Sequence, residues 1–171
     1  MPNNMLVAFV LLLSSFPPQG FSDEHKGGKN LLPVTNEFYK KTCGACHFAY
    51  QPGLLPERSW KKMMDSPGTH PGSALSLDGS TKEKIRKYLV QNSAENSPSK
   101  SSGKMLASID SGRTPLRISE VPYIKHKHNE IRPDVFNRKS VRSRGNCIAC
   151  HRKAGQGVYD RDVVIPRRQI G

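Results

Sequence analysis

Apolar side chains recur at helical spacing in three stretches of the first half of the chain. The first stretch, TNEFYKKTCGACH, begins with Thr35, a residue type suited to cap a helix. The second begins near Pro56, and the third begins with Ser80 and Glu83 at the spacing of a capping box. The predicted apolar faces consist of Trp60, Met63 and Met64 in the second stretch and of Ile85, Tyr88 and Leu89 in the third. This pattern predicts a helical first half.

The remaining stretches are polar and rich in turn-forming residues. DSPGTHPGS is a Pro/Gly loop with His70 in its middle, and residues 92–108 are rich in Ser, Asn, Pro and Lys, which predicts a connector. Residues 109–171 contain few Leu, Phe or Trp. We therefore expect two parts, residues 23–91 and 109–171. A second part so poor in apolar residues needs disulfides, metals or a large apolar cofactor.

The first 22 residues contain no charged side chain and include the apolar run MLVAFVLLL. This run is far shorter than the ~20 residues that span a bilayer. The small residues Gly20 and Ser22 suit cleavage after Ser22. We expect residues 1–22 to be a secretory signal peptide, with a retained N-terminal anchor as the alternative.

The chain is strongly basic, with 27 Lys and Arg against 14 Asp and Glu, a net charge of +13. The excess is larger in residues 92–171 than in residues 23–91. A basic surface favours an acidic protein partner, an anionic membrane surface or nucleic acid. Export and the lack of an aromatic-rich stacking strand argue against nucleic acid. We expect an acidic partner surface, and solubility alone is the simplest other explanation.

All four cysteines lie in two C-x-x-C-H motifs, TCGACH and NCIACH. As disulfides, the two pairs would close very short loops and constrain little of the unfolded chain. A zinc ribbon normally brings its pairs within about 15–20 residues of each other, far closer than Cys43 and Cys147. A thioredoxin-type pair needs a βαβ context that the sequence lacks. None of these alternatives explains His47 and His151.

Covalent haem attachment explains all six motif residues. The two thiols add to the vinyl groups of haem, and the following histidine becomes an axial ligand of the iron. We therefore predict two haem c groups with His47 and His151 as proximal ligands. The attachment residues are Cys43, Cys46, Cys147 and Cys150. The haems would also supply the apolar mass that the second part lacks.

The other axial position of each iron can take His, Met, water or a substrate. His70 is the natural sixth ligand of the first haem. Met63 or Met64 is the rival, although methionines on a Trp-bearing helical face are more typical of core packing.

The second haem has two candidate histidines, His126 and His128. On a helix they would point about 200° apart, so one would ligate and the other would be exposed. The residues alone leave this choice open. His25, close to the predicted cleavage site, is typical of a surface residue.

Several stretches of the chain, extending beyond the two motifs, match the sequence of a known protein family. They are CGACHFAYQPGLLPERSW, the His70 loop, KMLASI, TPLRISEVPYIKHKHNEI and NCIACHRKAGQGVYDRDVVIPR. Over residues 35–167 the chain resembles the bacterial dihaem cytochromes c of the DHC type. The resemblance implies a mainly α periplasmic protein, with an N-terminal class I-like cytochrome c domain and a smaller, loop-rich second haem domain. It also implies electron transfer with redox proteins, among them an oxygen-binding haem protein and a membrane b-type cytochrome.

The resemblance further implies that both irons are ligated by two histidines. His47 and His70 would hold the first iron, and His151 and His128 the second. His128 is favoured over His126 because it stands in the family's H-x-E-I pattern, here HNEI. The His70 loop is richer in Pro and Gly than the family pattern suggests.

Three functions compete: an electron carrier, a haem enzyme, and a haem-based sensor or structural haem protein, for which the sequence offers no attached output domain. Two six-coordinate haems would make an electron carrier of low potential, since imidazole does not raise the potential as methionine does. A haem enzyme, peroxidase-like or reducing oxygen or nitrogen oxides, would need an open iron position and distal acid–base groups. The sequence offers no clear set of such groups, with Glu120 and Glu130 as the candidates. We expect an electron carrier and no catalytic residues.

Overall fold

The chain forms short helices joined by turns. A computed structural model describes residues 29–66, 68, 70–160 and 163–166, so the predicted signal peptide and His25 lie outside the described residues. The α-helices are α1 (Glu37–Cys43), α2 (Glu57–Asp65), α3 (Gly79–Gln91), α4 (Lys100–Ala107), α5 (Pro122–Lys127) and α6 (Pro133–Phe136). Single 3-10 turns lie at Pro52–Leu54, Ala94–Asn96, Ile118–Glu120, Cys147–Ala149 and Ala154–Gln156. Among the described residues, β pairing is limited to an isolated bridge between His151 and Val163, and the predicted mainly α class is confirmed.

The first two predicted helices are present, and the start of the first differs by one residue. α1 is capped by Asn36 rather than Thr35, because the Asn36 side chain accepts a hydrogen bond from the backbone nitrogen of Tyr39 at 2.8 Å. α2 begins directly after Pro56, as predicted.

The predicted capping box of α3 is wrong. The helix is capped by Asp78, whose Oδ1 accepts hydrogen bonds from the backbone nitrogens of Ser80 and Thr81 at 3.0 and 2.9 Å. Hydrogen bonds from Thr81 and Ser80 hold the pKa of the Asp78 carboxyl below its usual range. A carboxylate at this position binds the free N–H groups and also opposes the positive end of the helix dipole, so it is a better cap than the Ser80 hydroxyl.

One apolar core lies between α2 and α3. Its buried side chains include Trp60, Met63 and Met64 from α2 and Ile85 and Leu89 from α3. The indole nitrogen of Trp60 donates to the carbonyl oxygen of Pro52 at 2.8 Å, so burial leaves this polar atom paired. The predicted apolar faces are confirmed, and both methionines pack in the core.

Residues 92–108, predicted to be a connector, are folded into this core. The segment forms a 3-10 turn and α4, and Ser99 caps α4 by accepting a hydrogen bond from the backbone nitrogen of Ser101 at 3.2 Å. Met105 is only 4% exposed, while Ser93 and Ser102 are fully buried. The Ser-rich composition concealed this helix because its buried face consists of small side chains around one methionine. The connector is therefore corrected to a core helix, whereas the division into two haem domains stays a prediction.

The second half is built from short elements. α5 has six residues and α6 has four, and the rest of the described part consists of 3-10 turns, irregular loops and the isolated bridge. Ile109 and Val121 are buried in the core of the first half. The other buried apolar side chains in the described part of the second half are Val135, Phe136, Val141 and Ala154. The described part of the chain contains no helix with the length and apolar character needed to cross a membrane.

We expect Met105→Ala to lower the free energy of unfolding of the haem-loaded protein by about 2–5 kcal/mol, because it opens a cavity in the core. Lys104→Ala, at the exposed neighbouring position, is the control and should change it by no more than about 0.5 kcal/mol. Urea unfolding measures both. Equal, small effects would mean that residues 92–108 behave as a connector after all.

Candidate haem-binding sites

The first C-x-x-C-H motif begins in the last turn of α1. Cys43 is the final residue of the helix, and Gly44 is its C-cap. A side chain at Gly44 would collide with the carbonyl oxygen of Lys40, so the first variable position of this motif requires glycine. The following turn presents His47, whose Nδ1 donates to the carbonyl oxygen of Phe48 at 2.8 Å.

His70, in the loop between α2 and α3, faces His47. The two ring centroids are 6.0 Å apart and the ring planes differ by 17°. Nδ1 of His70 donates to the carbonyl oxygen of Ser73 at 3.0 Å. The structure therefore brings together the two histidines that the sequence assigned to the first haem.

The second motif lies in the 3-10 turn Cys147–Ala149, whereas the first motif begins on an α-helix. The backbone nitrogen of His151 donates to the carbonyl oxygen of Cys147 at 2.8 Å, which extends the turn to the histidine. On the other side, the backbone nitrogen of Val164 donates to the carbonyl oxygen of Cys150 at 2.9 Å. The motif is thus held by its own turn and by the segment 163–166.

His128 is the C-cap of α5 and turns toward His151. The ring centroids are 5.8 Å apart, and the planes are nearly perpendicular at 78°. Nδ1 of His128 donates to the carbonyl oxygen of Ile124 at 2.8 Å. His126 is exposed. The structure brings His128, and not His126, to the second motif.

Both pairs have the spacing that an iron between two imidazoles requires. Bonds of about 2 Å from a metal to each nitrogen place the ring centroids about 6 Å apart, and the observed distances are 6.0 and 5.8 Å. A carbonyl oxygen can only accept, so Nδ1 of His47, His70 and His128 carries a proton, which leaves Nε2 as the nitrogen that can bind a metal. A hydrogen bond from the other ring nitrogen is the usual support of a metal-bound histidine.

His151 is arranged differently. Among the described residues, the buried Nδ1 of His151 has no partner with ordinary hydrogen-bond geometry. Burial and then the nearby His128 lower the pKa of His151, although the backbone of Tyr159, which lies nearby, acts to raise it. The ring therefore stays neutral near pH 7, and neutral imidazole is the form that binds a metal.

No disulfide joins the four motif cysteines, so both pairs are available for haem attachment. Burial raises the pKa of Cys43 and of Cys147 to about 11 and also raises that of Cys150. A thioredoxin-type pair needs a thiol of lowered pKa, so that alternative does not fit. Across the described ranges, no three or more His, Cys, Asp and Glu side chains gather into a metal-binding group, as a zinc site would require.

A cavity of about 530 Å³ opens beside the second motif, between α4, α5 and α6. Cofactor pockets commonly measure about 300–1,000 Å³. The wall includes Cys147, Cys150, His151 and His128 together with apolar side chains such as Met105 and Phe136. The cavity occupies the position where a core of side chains would otherwise lie, which explains why the second half has so few large apolar residues.

Three polar residues that the sequence analysis did not single out join the two sites. The Tyr50 hydroxyl donates to the carbonyl oxygen of Gly145 at 2.6 Å, and the Tyr159 hydroxyl donates to Oε1 of Gln51 at 2.6 Å. Nε2 of Gln51 donates to the carbonyl oxygen of Ala154 at 2.5 Å. Burial raises the pKa of Tyr50 to about 12 and raises that of Tyr159 as well, so both hydroxyls remain protonated donors. Tyr50 and Gln51 lie in the stretch CGACHFAYQPGLLPERSW, directly after the first motif. No local feature of the sequence indicates that their hydrogen-bond partners lie about a hundred residues away.

The two motifs, the facing histidines and the cavity define a protein with two covalently bound c-type haems. The sequence profile of the DHC family, dihaem cytochrome c, matches residues 39–159. The chain belongs to this family, and family membership supports the haem-based electron-transfer role that the sequence indicated.

Solved structures agree with this assignment. The diheme cytochrome c from Rhodobacter sphaeroides has 40% identity and a TM-score of 0.65 over 74% of this chain and 98% of that chain. A crystal structure of DHC purified from Rhodobacter sphaeroides has 39% identity and a TM-score of 0.57 over 74% and 99%. The diheme cytochrome type c sb-DHC from Shewanella baltica OS155 has 30% identity and a TM-score of 0.62 over 78% and 94%. Among curated proteins, none matches this chain.

We expect replacement of Cys147 and Cys150 by Ser to reduce the covalent haem content from two groups per chain to one, because only the second attachment site is lost. The pyridine haemochrome spectrum, recorded after acid–acetone extraction of unattached haem, measures this content. Ser143→Ala, an exposed change in the same segment, is the control and should keep both groups. Two extraction-resistant haems in the double variant would contradict the assignment.

Proposed function

We propose that this protein is an electron carrier in which each haem iron is ligated by two histidines. His47 and His70 serve the first haem, and His151 and His128 serve the second. The observation that carries the proposal is the facing of these ring pairs at 6.0 and 5.8 Å. When bound, each haem supplies a one-electron iron couple. Two protein ligands leave no coordination position for a substrate.

The backbone carbonyls that accept hydrogen bonds from the histidines influence the reduction potentials of the two haems. The carbonyl oxygens of Phe48, Ser73 and Ile124 accept hydrogen bonds from Nδ1 and so raise the basicity of three of the four imidazoles. A more basic ligand stabilises the oxidised iron. Together with the lack of a methionine ligand, this favours low potentials at both haems.

The alternative, a haem enzyme with one open iron position, needs an acid or base beside that position. Glu120 pairs with Arg117 at 3.5 Å, and Glu130 is exposed. Neither side chain lines the cavity at the second motif. This arrangement favours the electron carrier.

The periplasm is the compartment that we propose for this function. Bacterial c-type cytochromes of this kind are typically exported, and residues 1–22 have the composition of a signal peptide cleaved after Ser22.

The ligand set can be tested with His128→Ala and His126→Ala. We expect His128→Ala to convert one of the two haems to a high-spin, carbon monoxide-binding form, because one iron loses an axial nitrogen. His126→Ala and the unaltered protein should keep two low-spin spectra that carbon monoxide does not change. Visible spectra of both oxidation states measure this. Prompt carbon monoxide binding and peroxide turnover by the unaltered protein would favour the enzyme, and a high-spin haem in His126→Ala alone would assign that residue as the ligand.

A redox protein with an acidic surface is the partner that we propose at the second haem. Six exposed basic side chains line the cavity at the second motif: Lys29, Lys100, Lys104, Lys125, Lys127 and Arg144. Asp160 is the one acidic residue among the described lining residues. Such a rim attracts an acidic surface and accelerates the encounter at low ionic strength. An oxygen-binding haem protein or a membrane b-type cytochrome, as the resemblance implies, would meet the protein here.

We expect Lys125→Glu to slow oxidation of the reduced protein by ferricyanide several-fold at low ionic strength, because it reverses a charge at this rim. Stopped-flow rates measured over a range of salt concentrations should converge as screening increases. Lys87→Glu, an equal change of net charge on the exposed side of α3, is the control. Equal slowing in both variants would show that only net charge matters and that the rim is not a contact surface.

A further inference from the structure

Tyr50 contacts the first haem site with its ring and the second with its hydroxyl. The ring lies against His47, with centroids 4.8 Å apart and planes 26° apart. The hydroxyl donates at 2.6 Å to the carbonyl oxygen of Gly145, two residues before Cys147. A Cβ atom at Gly145 would stand 3.0 Å from that hydroxyl, so glycine allows this close approach.

Tyr159 repeats the arrangement in the opposite direction. Its ring packs against His151, with centroids 5.5 Å apart. Its hydroxyl donates at 2.6 Å to Gln51, the residue after Tyr50. Gln51 in turn donates at 2.5 Å to the carbonyl oxygen of Ala154, three residues after His151. Each tyrosine thus touches the proximal histidine of one site and is hydrogen-bonded to the attachment segment of the other.

The surroundings of these bonds make them stiff. Gln51 is 1% exposed, and both ends of its side-chain amide are paired. The Tyr39 hydroxyl donates to the carbonyl oxygen of Tyr50 at 2.9 Å, which ties the same backbone to α1. Hydrogen bonds strengthen in a buried, low-dielectric environment, and an unpaired group there is costly. These buried pairings therefore tie the backbone of one attachment segment to that of the other.

We propose that Tyr50 and Tyr159 are positioning residues that couple the two haem sites, so that each site sets the orientation of the proximal histidine at the other. This inference rests on the bis-histidine ligation proposed above. It goes beyond that proposal in making the two potentials interdependent through protein contacts. The coupling runs from His47 through Tyr50 to the Cys147 segment, and from His151 through Tyr159 and Gln51 to the segment after His47.

The two sites can be observed separately because their ligand planes differ. The planes of His47 and His70 lie 17° apart, whereas those of His128 and His151 lie 78° apart. Parallel imidazole planes split the two iron dπ orbitals, but crossed planes leave them nearly equal in energy. In the oxidised protein, we therefore expect one rhombic low-spin electron paramagnetic resonance signal from the first site. The second site should give a low-spin signal of much larger g-anisotropy.

Tyr50→Phe and Tyr159→Phe in the haem-loaded full chain test the coupling, because each removes one oxygen and keeps the ring on its histidine. We expect each variant to shift the g-values of both signals and both midpoint potentials in spectroelectrochemical titration. Tyr88→Phe is the matched control. Its ring packs on Tyr39 at 5.0 Å, and its hydroxyl interacts with the backbone of Asn36, so it makes no bridge between the sites. It should leave the crossed-plane signal unchanged.

Three outcomes would overturn the inference. If both signals stay unchanged in the Phe variants, or only the signal of the contacted histidine moves, each tyrosine merely packs on its own site. A wild-type spectrum without two low-spin signals would overturn the bis-histidine ligation and the coupling together, so the two failures can be told apart. Should a Phe variant fail to bind haem, Gln51→Leu is the substitute. It removes the hydrogen bonds of Gln51 with Tyr159 and Ala154, and it should also shift both signals.

Discussion

Imidazole coordinates a metal through a nitrogen that carries a lone pair, and the geometry of both sites depends on holding that nitrogen in place. At His47, His70 and His128 a backbone carbonyl of a nearby residue accepts a hydrogen bond from Nδ1. The acceptor lies one residue after His47, three after His70 and four before His128. Each ring is therefore oriented by its own local backbone, and the fold has only to bring two such segments face to face.

The fold meets this requirement differently at the two sites. The first motif stands at the end of α1 and finds its second histidine downstream, in the loop between α2 and α3. The second stands in a 3-10 turn and finds its second histidine upstream, at the end of α5. The ring planes are nearly parallel in one pair and crossed in the other. These contrasts indicate two different sites rather than one unit duplicated.

The same contacts unite the chain. α4 fills the core with Met105 and also lines the cavity beside the second motif. Val121, at the start of α5, is buried in the core of the first half, and Gln51 pairs with residues on the far side of the second motif. The second half has few large apolar side chains, so it is stabilised by packing against the first half and by enclosing a large cofactor. The contacts that stabilise the second site are therefore the same contacts that connect it to the first half.

The sequence by itself determined whatever depends on short-range pattern. C-x-x-C-H spacing is local, so it predicts the attachment residues and the proximal histidines without knowledge of the fold. Apolar periodicity is also local, and it correctly predicted the buried faces of α2 and α3. The residues alone left His126 and His128 open; the family resemblance favoured His128 through the HNEI pattern, and the structure brings the His128 ring to 5.8 Å from that of His151. Local pattern failed where several weak signals compete, as at Asp78 against Ser80, or where small buried side chains imitate a linker, as in α4. Tertiary structure alone decided the angles between ring planes and the bonds from Tyr50 and Tyr159, because these depend on the approach of segments about a hundred residues apart. No local periodicity encodes such an approach; it follows from how the whole chain packs around its cavity.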